Sequence, residues 1–199
     1  MRNTASTKPQ ILADAVVPGR ATAGRHRKGP VGDDWSTRVI RSPIGELTVS
    51  AAGGKIVELL LQADRAAQER AAGPAIRRGA GPAGQCQILD QTARQLDDYF
   101  AGRLRQFSLP LAPRGTAFQL AVWEVLRQIP YARTVTYGEI AKRVGNPKAS
   151  RAVGGANNRN PIAVIVPCHR VIGSGGALVG YGGGLETKQY LLDLERAHA

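Results

Sequence analysis

The stretch TRVIRSPIGELTVSAAGGKIVELLLQ, residues 37–62, leaves its backbone few choices. Polar and apolar residues alternate up to Ser42-Pro43-Ile44-Gly45, alternate again up to Gly53-Gly54, and alternate a third time. A period of two sends successive side chains to opposite faces, and both interruptions carry turn chemistry. The stretch predicts a three-stranded antiparallel meander. Residues 64–85, rich in Ala, Gly and Arg, read as a variable connection. After them ILDQTARQLDDYFAGR places Leu89, Ala93, Leu96 and Phe100 at helical spacing, with Gly102 as the stop. QFSLPLAPRG then reads as one more strand and a linker. Residues 36–112 therefore form a small α/β unit in which no chemistry is visible.

A second unit, residues 115–199, opens at Thr116, an N-cap for AFQLAVWEVLRQI with Phe118, Val122, Val125, Leu126 and Ile129 on its apolar face. Pro130 ends that helix. VTYGEIAKRVG predicts a short helix closed by Gly145, and KASRAVGGANN another. Three short helices with a tight turn before the last make a helix-turn-helix. Its final helix carries Lys148 and Arg151 among the small residues Ala149, Ser150, Gly154, Gly155 and Ala156. Small residues admit either close approach to DNA or close packing of helices, and the sequence alone leaves both open. LETKQYLLDLERA predicts a last helix with Leu185, Tyr190, Leu191 and Leu194 inward. Gly175-Gly176 and GYGGG, residues 180–184, bracket a hairpin-like loop with the character of a wing. The fold class is thus α+β: a small antiparallel-sheet domain, then a mainly helical winged helix-turn-helix domain.

Charge narrows the partner. The 199 residues carry a net charge of +12, which suits a polyanion, nucleic acid above all. Residues 1–34 hold Arg2, Lys8, Arg20, Arg25, Arg27 and Lys28 against Asp14 before the Asp33-Asp34 pair, without periodicity. Such composition predicts a disordered basic arm. No apolar run approaches the roughly 20 residues that span a bilayer, so a membrane role is excluded and a cytoplasmic protein expected. Cys86 and Cys168 are too few for a disulfide framework, and no Cys/His spacing suits a metal. No cofactor is implied.

One motif carries chemistry. In NPIAVIVPCHRVIGSGG, residues 160–176, an apolar run expected to be a strand ends in Pro167-Cys168-His169-Arg170. A thiolate nucleophile needs a depressed pKa or an adjacent base, and His169 offers an imidazole. Neighbours at i and i+1 need not face one another, and buried cysteines are commonly inert, so a structural Cys168 stays open on these residues. Cys86 receives no role.

PCHRV at 167–171 resembles the active-site motif of the O6-alkylguanine-DNA alkyltransferases, the methylated-DNA–protein-cysteine methyltransferases. RAVGGANNRNP, residues 151–161, resembles that family's recognition helix and asparagine hinge. GYGGGLETK, residues 180–188, resembles its active-site loop, and TVTYGEIA, residues 134–141, the segment bearing its tyrosine. The specific likeness covers residues 115–196. The earlier unit fits weakly, through SPIGELTVSA, as the family's ribonuclease-H-like domain.

The resemblance implies a suicide repair protein. A monomer binds double-stranded DNA in the minor groove, flips an alkylated guanine out, and moves the O6-alkyl group irreversibly to its own cysteine; O4-alkylthymine and cooperative binding stay open. By that likeness Cys168 is the nucleophile, His169 its base through a water, and Glu195 the group that orients the imidazole. Asn160 braces the turn. Tyr137 donates to the departing guanine or a phosphate, Tyr181 and Lys188 belong to the substrate loop, and the Cys168 and Val171 carbonyls accept from the guanine amine. Arg151 fills the hole left by the base, with Ala149, Ser150 and Gly154 beside it in the groove. Two departures stand out: Gly182 replaces a serine common after the loop tyrosine, leaving a backbone N–H for the guanine O6. Asn157 stands where animal members carry methionine. The structural zinc of some relatives has no ligands here.

Three other classes are weighed. A non-catalytic damage sensor usually has tryptophan at the cysteine position, and Cys168 argues against it. A transcription regulator would keep its function in Cys168→Ser. A cysteine hydrolase would turn over, whereas a transferase that keeps its alkyl group acts once.

Overall fold

The computed structural model describes residues 35–62 and 83–199, with side chains from Cys86 onward in the second stretch. The basic arm of residues 1–34 and most of the connection after residue 62 lie outside the described residues. The meander is present as β1 (Ser36–Ser42), β2 (Gly45–Ala52) and β3 (Lys55–Leu61), antiparallel in the order β1-β2-β3. Ser42 pairs with Gly45 across the first turn, where Gly45 has φ 95°. Gly53 and Gly54, at φ 55° and 72°, make the second, which only residues without a Cβ adopt cheaply. Leu47, Val49 and Ala51 of β2 and Ile56 and Leu59 of β3 are fully buried.

Helix α1 (Ala83–Phe100) packs across all three strands and begins within the stretch expected to be connection. Its buried side chains are Ile88, Leu89, Thr92, Leu96 and Tyr99. Of the expected stripe, Leu89 and Leu96 are buried and Ala93 and Phe100 pack partly buried against the core, and the row Ile88, Thr92 and Tyr99 is buried beside it. The strand expected in QFSLPLAPRG is reduced to one bridge, Leu111 to Ile56. Pro110 has no N–H to give a ladder, yet its carbonyl accepts from Ile56 N at 2.8 Å. Leu59 of the same strand bridges Ile162, with Leu59 N on the Pro161 carbonyl at 2.8 Å. The free edge of β3 is thus occupied by two loop segments, one of which leads to Cys168.

The rest is helical. Helix α2 (Ala117–Arg127) starts in a capping box of Thr116 and Gln119 and buries Val122, Trp123 and Leu126. The Trp123 indole donates to the Ala156 carbonyl at 2.9 Å. Helix α3 (Tyr137–Arg143) has its own capping box, Thr136 with Glu139, and Gly145 follows at φ 78°. Helix α4 (Ser150–Asn158) buries Val153, Ala156 and Asn157 against α2 and α3. Two short parallel strands, β4 (Val135–Thr136) and β5 (Val171–Ile172), tie the start of α3 to the segment just after Cys168. Residues 173–184 form the loop expected there, with Gly173 N on the Ala177 carbonyl at 2.9 Å. Helix α5 (Leu185–Ala197) closes the chain. Its inward row is Lys188, Leu191, Leu192 and Glu195; Leu185 and Tyr190, expected inside, are exposed. The fold is mixed α/β, a small antiparallel sheet followed by a helical domain. No described helix is long and apolar enough to cross a membrane.

Candidate active site

The apolar run before Cys168 is a tight turn, not a strand. Val164 sits at φ 69°, a costly conformation for a β-branched residue, so the surroundings must hold it. Asn160 does much of that holding. Its Oδ1 accepts from Ile162 N at 3.1 Å, and its Nδ2 donates to the Val166 carbonyl at 2.8 Å. The same amide lies 3.1 Å from Cys168 Sγ. A short 3₁₀ turn, Cys168–Arg170, follows Pro167 and sets cysteine, histidine and arginine in the interior. Cys168 is 5% exposed.

His169 reaches α5. Its Nε2 lies 2.9 Å from Oε1 of Glu195, and both side chains are fully buried. A carboxylate accepts, so Nε2 carries the proton, and Nδ1 has no hydrogen-bond partner among the described residues. Arg170 donates from Nε and Nη2 to Glu195 at 3.0 and 2.8 Å and from Nη1 to the Ile129 carbonyl at 2.7 Å. Tyr99 Oη donates to Glu195 Oε1 at 2.8 Å, and Ala132 N donates to Oε2 at 3.0 Å. Burial alone would push the Glu195 carboxyl up, but hydrogen bonds from His169 and Arg170 hold it down at about 2. Burial pushes His169 below its ordinary 6.5, and the Arg170 and Lys188 charges act in the same direction, against Glu195. The imidazole is therefore neutral near pH 7, with its free lone pair on Nδ1.

Lys188, fully buried, donates to the Val171 carbonyl at 2.6 Å and the Val179 carbonyl at 2.9 Å. Burial holds its ammonium below the ordinary 10.5. Tyr137, the first residue of α3, reaches the same Val179 carbonyl at 3.4 Å, and burial raises its phenol, which stays a donor at neutral pH. Tyr137, Ser150, Arg151 and Gly154 line a groove of about 410 Å³ with Gly173 and Ser174. Cys168 lies outside that lining. Ala149 is the N-cap of α4, just ahead of the groove. Tyr181 packs against the core, while Gly182 is exposed on the loop before α5. Sequence reasoning missed Arg170 and Tyr99. The first stood inside the quoted motif; the second is visible only once the phase of α1 is known.

Comparison with known proteins finds matches along most of the described chain. The family profile described as 6-O-methylguanine DNA methyltransferase, DNA binding domain, matches residues 117–197. The profile of its ribonuclease-like domain matches residues 37–113. The methylated-DNA–protein-cysteine methyltransferase of Methanosarcina acetivorans is 65% identical over 109 residues, 55% of this chain and 70% of that protein. The protein of that name from Mycobacterium leprae is 48% identical over 159 residues, 80% and 91% of the two chains. Among solved structures, Mycobacterium tuberculosis OGT in complex with DNA superposes with a TM-score of 0.70 at 45% identity, covering 82% of this chain and 94% of that one. This chain belongs to the methylated-DNA–protein-cysteine methyltransferase family.

Proposed function

We propose that the protein repairs DNA by direct reversal, moving the alkyl group of O6-alkylguanine to Cys168 in a single irreversible event. The observation that carries this reading is the constellation around the cysteine. Asn160 donates toward its sulfur, and next to it a neutral imidazole is anchored through Nε2 to a buried, ionised Glu195. His169 Nδ1, through a water, takes the thiol proton. The thiolate attacks the alkyl carbon, the S–C bond forms as the C–O6 bond breaks, and the electron pair leaves with guanine. Tyr137 donates a hydrogen bond toward the departing guanine anion, which takes its ring proton from solvent water. Glu195 stabilises the imidazolium formed, as the acid does in hydrolase triads.

DNA is the partner, met through α4. The buried face of that helix is Val153, Ala156 and Asn157, so Gly154 is not needed for packing: a Cβ there would lie 3.9 Å from the Tyr137 ring, an ordinary contact. Arg151, exposed beside it, supplies a planar cation for the gap in the base stack, in keeping with a flipping cost of a few kcal/mol. The lysine-held Val171 carbonyl and the Cys168 carbonyl receive the guanine amine, and Gly182 N–H its O6. A monomer suffices, since every group named belongs to one chain.

The test mixes the protein with a duplex holding one O6-methylguanine and reads intact mass and peptide map. One added methyl on the Cys168 peptide, saturating at one per chain and absent in Cys168→Ala, is the expected result. An unmodified protein that still binds the lesion tightly would mean a sensor, and continued turnover a hydrolase.

A further inference from the structure

Glu195 is held by more than the histidine it serves, and one of its donors comes from the N-terminal unit. Tyr99 stands one residue before the end of α1, fully buried, with its ring edge-on to Phe100 at 5.4 Å and to Tyr131 at 6.2 Å between centroids. Its hydroxyl reaches 2.8 Å to Oε1, the same oxygen that His169 Nε2 meets at 2.9 Å. A rigid aromatic frame behind the phenol fixes where that oxygen lies. We propose that Tyr99 is a positioning residue for the transfer: the N-terminal domain, through this hydroxyl, fixes the Glu195 carboxylate so that His169 keeps its proton on Nε2 and offers Nδ1 as the base. The inference rests on the alkyl-transfer reading and deepens it. On that account the first domain is part of the activation of the nucleophile, although it contributes no group that touches the substrate.

The charged and titratable groups around the dyad come from every element packed against it. Tyr99 comes from α1, Tyr131 from the α2–β4 connection with Arg105 acting on it from the loop after α1, Arg170 from the 3₁₀ turn and Lys188 from α5. Arg170 and Lys188 disfavour an imidazolium, and among the described groups Glu195 favours one. A donor on Glu195 offsets part of that pull. Removing it makes the carboxylate more basic, raises the affinity of His169 for a proton, and so removes the base at a higher pH. Tyr99 stays protonated throughout, because burial first and then Glu195 push its phenol far up.

The experiment measures the single-turnover rate of methyl transfer from a duplex O6-methylguanine against pH, in the full chain and in Tyr99→Phe. The rate should fall roughly tenfold near pH 7, the order expected for one hydrogen bond to a charged group. The midpoint of the acid limb should move up, so the deficit is larger at low pH. Binding to an unmodified duplex should not change. A wild-type rate, or a uniform loss with the midpoint unmoved, would reduce Tyr99 to packing and overturn the proposal. If Tyr99→Phe fails to fold, 2,3-difluorotyrosine at position 99 keeps the shape and strengthens the donor; the midpoint must then move down, and an unmoved midpoint again overturns it. Failure of the underlying reading looks different: the unsubstituted protein would acquire no methyl on Cys168 at any pH.

Discussion

Asn160 joins the local fold to the thiol within one side chain. Its oxygen caps Ile162 N, and its amide serves both the Val166 carbonyl and Cys168 Sγ. Asn160→Asp separates the two roles, because the acceptor survives and the donor is replaced by a negative charge beside the sulfur. The Cys168 thiol should titrate higher in this variant and methyl transfer should fall by roughly a hundredfold, since a like charge at this range disfavours a thiolate by about 2 pKa units or more. Thiol reactivity against pH with a small alkylating probe checks it; an unchanged profile would remove Asn160 from thiolate stabilisation. The pH dependence of the native protein follows from His169 and Glu195. Both are held below their ordinary values of 6.5 and 4.5, so the unfolded chain takes up protons at a pH where the folded chain does not. Their stabilisation is complete above those values and is lost as pH falls. Stability should start to decline below about pH 6.5 and decline further below about 4.5, as denaturant midpoints across that range will show. The transfer rate should decline on the same acid side, as Nδ1 becomes occupied.

At the scale of elements, helix α4 separates fold from function along its length. Val153, Ala156 and Asn157 face α2 and α3, whereas Gly154 opens on the groove beside Tyr137. Gly154→Leu should therefore leave stability within about 1 kcal/mol, glycine being a poor helix former to begin with, yet weaken duplex binding roughly tenfold by filling the groove. Thermal unfolding and a fluorescence titration with an undamaged duplex test both halves, and an unaltered affinity would take α4 off the DNA. The elements most legible in the sequence were those whose ends carry their own chemistry. Thr116 and Gly145 marked two helix ends, and the proline and glycine turns gave the meander register. The misread elements were those fixed from a distance. The run Ile162–Val166 has strand composition, but Asn160 and the edge of β3 bend it into a turn. Leu185 and Tyr190 are as apolar as core residues, yet the inward row of α5 is set by Lys188 and Glu195, whose partners lie on other elements. Tyr99 was hidden for the same reason, since its partner Glu195 lies 96 positions further along the chain.

On the scale of the whole molecule, the net charge of +12 sets how binding responds to salt. Each phosphate neutralised releases condensed counterions, so the logarithm of affinity falls linearly with the logarithm of salt, by about 0.9 per contact on duplex DNA. Two sets of cations contribute differently. Arg151 lies in the first turn of α4 and Lys148 just before it, whereas Arg2, Lys8, Arg20, Arg25, Arg27 and Lys28 belong to the first 34 residues. None of the latter adjoins a residue of the candidate site in sequence, and the capping boxes and the Tyr99–Glu195 hydrogen bond join described residues. Deleting residues 1–34 should lower the salt slope by at most about 5, the value if all six cations met phosphates, and weaken binding most at low salt. The rate of methyl transfer at saturating duplex should stay as it was, because saturation removes the affinity term and leaves only the chemistry at Cys168. Affinities across a salt series and single-turnover rates on the shortened chain measure the two quantities separately. A slope that does not change would mean those cations stay off the phosphates, and a lower saturated rate would mean that the first 34 residues support the site itself.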